Sequence, residues 1–259
     1  LELLVNVSLA GKTAIITGAA SGIGRAMVKQ FLASEVSQLV AVDLSPPPSD
    51  IQELLNAQSQ RLAFVQGSVA DDNTAQRFTQ VAMERSGQID ILVNNAGVAL
   101  VKAVHEHTPE EWDFIMNTNV KALYFAARHV VPIMIKQHRG TILNTGSISG
   151  HVGIVGQGAY GPSKGAVHQM TRQMAVEYAP HGIRVNAVAL GTVDTPIVQE
   201  SARQFGDAAA FWKMLRDKHP IGRVATPEEV ACFFTYLASD HASFFTGAIL
   251  SMDGGFIAH

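Results

Sequence analysis

Seven short apolar runs punctuate the chain: KTAIIT (12–17), QLVAVD (38–43), RLAFVQ (61–66), DILVNN (90–95), GTILNT (140–145), IRVNAVAL (183–190) and AILSM (248–252). Longer segments of helical period separate them. A strand that is apolar at nearly every position must be covered on both faces, and strand-helix alternation joins parallel neighbours through right-handed crossovers. The pattern therefore specifies a doubly wound α/β fold. At 259 residues such a fold is expected to form a single domain over 1–259. SPPPSD (45–50) directly follows a strand run and precedes a helical one, so it reads as a rigid turn and not as a linker.

Composition narrows the partners. Hydrophobic residues make up 47% and charged residues 16%, yet no apolar run is long enough to cross a bilayer and no charged-then-apolar leader opens the chain. A net charge of −3 with scattered cations offers no basic stripe to nucleic acid or an anionic membrane. The expectation is a soluble, cytoplasmic protein that acts on a small molecule, with no nucleic-acid or membrane partner. Cys232, the single cysteine, lies in EVACFFTYLA and is expected to pack rather than to pair. HEH at 105–107 lacks a third nearby ligand, so solvated loop histidines and no metal are expected.

TGAASGIG (17–24) follows the first strand run at once, and a helical segment begins near residue 22. Gly18 permits a sharp turn, Gly22 removes a side chain that would block a ligand, and Gly24 allows the helix to pack on the strand. With Ser21 and Ile23 in the same turn, the N–H groups at the helix start face an anion, here a pyrophosphate. Asp43 ends the second strand run about twenty residues on, where an acid accepts hydrogen bonds from an adenosine ribose and repels a 2′-phosphate. Its bland alternative is an acid that organises its own turn. Neither Ser21 nor Leu44 offers the cation that a 2′-phosphate needs, so the expected cofactor is NAD.

YGPSK (160–164) sets Tyr160 and Lys164 one helical turn apart on one face. Such a pair is common by chance and acquires meaning only from its company. With TGAASGIG, NNAG (94–97), Asn119 in NTNV and Ser147 in NTGSISG, it stands in the order of the classical short-chain dehydrogenases/reductases, which the sequence resembles over essentially its whole length. The resemblance implies a Rossmann-type sheet in the order 3-2-1-4-5-6-7. It places Asn95, Ala96 and Gly97 along the adenosine ribose, Ser68 and Val69 near the adenine, and Gly191, Val193 and Thr195 at the nicotinamide. Two positions depart from the family: Ser68 replaces a usual aspartate, with Asp71 expected to start the next helix, and Leu190-Gly191 replaces a proline-glycine, with Gly191 left free to turn.

The resemblance also implies catalytic roles. Tyr160 becomes the general acid or base, Lys164 lowers its pKa and bonds the nicotinamide ribose, Ser147 donates to the substrate oxygen, and Asn119 holds a water linking Lys164 to bulk solvent. Ser147, Tyr160, His151 and Gln157 are the expected substrate contacts, and the segment at about 193–216, with Phe205, Phe211, Trp212, Met214 and Leu215, is expected to form a substrate lid. Relatives assemble as tetramers through helices at about 108–138 and 158–180. The expected activity is an NAD-dependent interconversion of a secondary alcohol and its ketone. Alternatives are an NADPH-dependent acyl-carrier-protein ketoreductase and a non-catalytic NAD sensor. The family's enoyl reductases carry a longer tyrosine-to-lysine spacing than the four residues here, and sugar-nucleotide epimerases a larger carboxy-terminal domain.

Overall fold

A computed structural model describes residues 7–258. In chain order the elements are β1 (Thr13–Thr17), α1 (Gly22–Ala33), β2 (Gln38–Asp43), α2 (Ser49–Ala57), β3 (Leu62–Gln66), α3 (Asp72–Ser86) and β4 (Ile91–Asn94). There follow α4 (Pro109–Met116), α5 (Ala122–Gln137), β5 (Gly140–Thr145), α6 (Tyr160–Tyr178), β6 (Ile183–Leu190), α7 (Pro196–Gln204), α8 (Ala208–Asp217), α9 (Pro227–Ala238) and β7 (Ile249–Met252). All seven apolar runs form strands of one sheet in the order β3-β2-β1-β4-β5-β6-β7, and every neighbouring pair is parallel.

Alternation along each strand builds two cores. Ala14, Ile16, Leu39, Ala41, Ile91 and Val93 face a layer that holds Met27 and Phe31 of α1 and Val230 and Phe234 of α9. Ile15, Val40, Val42 and Leu92 face the opposite layer, with Phe78 of α3, Val130 and Met134 of α5 and Met174 of α6. A strand buried on both sides cannot alternate with polar residues, which is why the runs are almost wholly apolar.

Local signals set the helix ends. Asp71 caps α3 by accepting from the Asn73 N–H, as the sequence suggests, while Thr108 and Thr226 form capping boxes with Glu111 and Glu229. The long helix expected at about 108–138 runs from Pro109 to Gln137, with Asn117–Lys121 winding as a wider π-turn between α4 and α5. The other long helix runs 160–178 rather than 158–180. Cys232 is exposed on α9 and does not pack in the core, because Ala231 and Phe234 occupy the buried side. No described helix is long and apolar enough to cross a membrane.

Candidate active site

The glycine turn, Asp43, Asn95, Ser147 and Gly191 all follow the carboxyl ends of strands and so share one edge of the sheet. Gly18 (φ +68) and Gly22 (φ +49) occupy the left-handed region, where a side chain is strained. A Cβ on Gly24 would run into the Gly18 carbonyl oxygen and lie 2.7 Å from Asn95 Nδ2. Asn95 braces this turn, donating through Nδ2 to Thr17 O (3.0 Å) and Gly18 O (3.3 Å). Thr17 Oγ1 accepts the N–H groups of Asn95 (3.0 Å) and Ala96 (3.1 Å).

Asp43 ties the turn to the next loop, because Oδ2 accepts from the Ala20 N–H and Oδ1 from the Ser45 N–H, each at 2.9 Å. Turn organisation, the bland alternative for this acid, is therefore one of its functions. Each carboxylate oxygen has a second lone pair for a further donor. Leu44 is exposed beside it. Ser68 Oγ accepts from the Ala70 N–H (3.2 Å), and Val69 lines a small cavity with Thr17, Asn94 and Ala96. Ser21 stands before α1 without capping it, so the first N–H groups of α1 have no side-chain acceptor there. The glycine turn, these donors and the acid at the end of the neighbouring strand fit a dinucleotide.

Ser147, Tyr160 and Lys164 come together beyond β5. Lys164 Nζ lies 5.5 Å from the centroid of the Tyr160 ring and donates to Thr145 O at 2.7 Å. Burial pushes the Lys164 ammonium down to about 8. Burial also raises the Tyr160 phenol above its ordinary value, and a hydrogen bond from Ser147 opposes this without overcoming it. At this phenol, desolvation therefore outweighs the Ser147 hydrogen bond.

Ser147 is buried. Its Oγ accepts from the Ser149 N–H (3.1 Å) and lies 3.0 Å from Ser149 Oγ, which in turn donates to Gln157 Oε1. Gln157 is therefore two hydrogen bonds from Ser147. His151 is exposed and makes a tilted ring contact with His168, centroids 4.6 Å apart. His168 is buried, one turn beyond Lys164, and burial together with His151, Arg172 and Lys164 lowers it to about 4. It adds no positive charge beside the lysine.

Asn119 is a buried residue of the π-turn. Its Oδ1 accepts from the Val98 N–H (2.8 Å), and its Nδ2 donates to Val98 O (2.9 Å) and Ser163 Oγ (3.0 Å). A Cβ on Gly97 would sit 3.3 Å from Asn119 Oδ1 and 3.6 Å from Lys164 Nζ, so Gly97 marks the point where the three meet.

Gly191 is not free. A Cβ there would lie 2.8 Å from Asp253 Cα and 2.9 Å from His219 Nε2, so close packing, not a turn, requires glycine. Val193 is buried and pairs with Ala225, while Thr195 precedes α7 and packs against Gly22. The segment at 193–216 forms α7 and α8. The rings of Phe205 and Phe211 meet at a tilt with centroids 5.5 Å apart, and α8 has no buried residue.

A family profile described as enoyl-(acyl carrier protein) reductase matches residues 18–257. The chain is 37% identical over 251 residues to 3-oxoacyl-(acyl-carrier-protein) reductase FabG of Thermotoga maritima, covering 96% of this chain and 99% of that one. This chain belongs to the short-chain dehydrogenase/reductase family. It is also 37% identical over 252 residues to cis-4-hydroxycyclohexanecarboxylate dehydrogenase of Sinomonas cyclohexanicum, covering 97% and 98%. Among solved structures, levodione reductase matches with a TM-score of 0.90 at 29% identity, covering 95% of this chain and 98% of that one. As a short-chain dehydrogenase/reductase the protein is an oxidoreductase of small molecules and binds a nicotinamide cofactor.

The short-chain dehydrogenase/reductase motifs do not reveal every residue of the site. Ser149 of NTGSISG and Ser163 of YGPSK support Ser147 and Asn119, and His168, outside any motif, packs against Gly146 and Gly150 of the serine loop. His219 donates from Nδ1 to Leu215 O (2.7 Å) and accepts at Nε2 from the Thr192 N–H (3.1 Å), tying α8 to the loop after β6. His107, expected to be solvated like His105, has a side chain only 1% exposed. The signal available was its place just before the capping residue Thr108, a position that commonly turns inward. Among the described residues no group of histidine, cysteine and acids could hold a metal.

Proposed function

We propose that the protein is an NAD-dependent oxidoreductase that interconverts a secondary alcohol, such as a polyol, sugar or hydroxy acid, and its ketone. The observation that carries this reading is the Lys164 ammonium held 5.5 Å from the Tyr160 ring in a buried site shared with Ser147. A bound NAD supplies the hydride acceptor and, when oxidised, a second positive charge near the phenol. Tyr160 takes the alcohol proton or returns it. Ser147 turns its hydroxyl to the substrate oxygen and stabilises the charge that develops there. Lys164 holds the phenol's charged form and the nicotinamide ribose, while Asn119 keeps a water between Lys164 and solvent. Glycines 18, 22 and 24 with Ser21 and Ile23 cradle the pyrophosphate; Asp43, Leu44, Ser68, Val69, Asn95, Ala96 and Gly97 line the adenosine half; Gly191, Val193 and Thr195 take the nicotinamide.

Gln157 and His151 stand beside Ser147 as substrate contacts, and α7 and α8 form the lid. The reading extends to a cytoplasmic homotetramer, for which the exposed Phe114, Tyr124 and Val176 on α4, α5 and α6 supply apolar surface. A panel of polyols, hydroxy acids, cyclohexanols and aromatic secondary alcohols, followed at the NADH absorbance, tests the activity. No NADH from any of them would favour the non-catalytic NAD sensor.

The likeness to FabG favours a second reading, an NADPH-dependent acyl-carrier-protein ketoreductase. Asp43 separates the two, since its charge opposes a 2′-phosphate. Replacing Asp43 by serine together with Leu44 by arginine is expected to move the NAD to NADP ratio of kcat/KM toward NADP by about 10²-fold. A wild-type ratio already favouring NADPH would replace the first reading with the second. The enoyl activity in the family description is set aside because Tyr160 and Lys164 lie only four residues apart.

A further inference from the structure

We propose that His107 is a positioning residue for Tyr160: its imidazole anchors the backbone from which the α6 helix and its phenol start. The inference rests on the role given to Tyr160 above. Thr108 Oγ1 accepts the Glu111 N–H (3.2 Å) and Glu111 Oε2 accepts the Thr108 N–H (3.1 Å), closing a capping box. His107 precedes that box with its side chain 1% exposed. Its Nε2 accepts the Ala159 N–H at 3.2 Å. A backbone N–H can only donate, so Nε2 is unprotonated and Nδ1 carries the ring proton.

Nδ1 is buried with no hydrogen-bond partner, 3.9 Å from Glu111 Oε2, whose other oxygen is held by Lys102 Nζ at 2.6 Å. Leucine would fill this inward-facing space without burying an unpaired N–H. The bond made by Nε2 is what distinguishes histidine here. Ala159 stands at the N-cap of α6 and has no polar side chain with which to cap it. The same segment grips the preceding loop, since Lys102 N donates to Gly156 O and Gly158 N donates to Lys102 O, each at 2.9 Å. Residues 156–159 are thereby held by the chain between β4 and α4. The phenol emerges one residue later, where a displacement of about 1 Å is enough to cost up to 10²-fold in rate.

The test compares H107F, which fills the space without an acceptor, and H107Q, which restores one, in the full chain. Three quantities are read: amide hydrogen exchange at Ala159, NADH affinity by fluorescence, and turnover of the best alcohol in the panel. H107F should raise exchange at Ala159 at least 10-fold, leave the NADH Kd within twofold, and lower kcat about 10-fold with little change in KM; H107Q should recover both protection and kcat. Should H107F not fold, H107M repeats the comparison. Unchanged exchange at Ala159, or equal losses in the Phe and Gln variants, would overturn the proposal. Loosened Ala159 in H107F together with full turnover in Y160F would leave the anchor standing and refute the chemistry given to Tyr160.

Discussion

Replacing Tyr160 by phenylalanine lowers turnover by about 10² or more and leaves NAD affinity within a few-fold, as expected for loss of a general acid–base group. The substitution removes one oxygen. The ring remains to pack at the start of α6, and Lys164 keeps its bond to Thr145 O, so the cofactor half of the site is undisturbed. Ser147 retains Ser149 as a partner and can still polarise a carbonyl, which sets the residual rate. Single-turnover mixing with saturating NAD checks the chemical step apart from product release. Unchanged turnover would remove Tyr160 from the chemistry.

Replacing Lys164 by methionine should weaken NAD binding about 10-fold and lower kcat/KM by about 10³, because in the proposed mechanism one ammonium serves both ribose and phenol. Taking the 5.5 Å from Lys164 Nζ to the ring centre as the charge separation, a unit charge contributes about 3 kcal/mol at an effective dielectric of about 20. Bringing a phenol from about 10 to near neutrality takes roughly 4 kcal/mol, before the cost of burial is added. Lysine is therefore necessary and, by itself, insufficient.

The same variant should be more stable at neutral pH. Folding lowers Lys164 from 10.5 to about 8, so the buried cation opposes folding below about pH 8, and the penalty is relieved as pH rises from there to the unfolded value. K164M should accordingly show a higher Tm than wild type at pH 7, with the difference shrinking between about pH 8 and 10.5. Thermal scans across that range check it. A lower Tm at pH 7 would mean that the Thr145 bond outweighs the burial of charge.

Backbone features governed by period and glycine were legible in the sequence. GTILNT and IRVNAVAL match β5 and β6 residue for residue, because strands buried on both faces have little freedom in composition. The glycine turn was legible because Gly18, Gly22 and Gly24 answer to positive φ or contact with backbone, which no other residue satisfies. The strand order came from the family resemblance, since apolar runs do not encode which neighbour each strand takes.

What escaped the sequence depends on distant contacts. The π-turn at Asn117–Lys121 has no local mark, since Asn119 is held by Val98 and Ser163 from other segments. The direction of the Tyr160 shift depends on burial, which no spacing reports. His107 reads as a polar loop residue until the chain carrying Ala159 is folded against it. Gly191 reads as a flexible turn until Asp253 and His219 are packed beside it.

The central claim is tested most directly by titrating the Tyr160 phenol itself, with tyrosine labelled at Cζ and its resonance identified through Y160F. The ordinary value is about 10. Without ligand the phenol should titrate above it; with NAD bound it should fall well below, and K164M should abolish most of that fall. A phenol that stays above 10 in the NAD complex, and does not respond to loss of Lys164, would contradict the account.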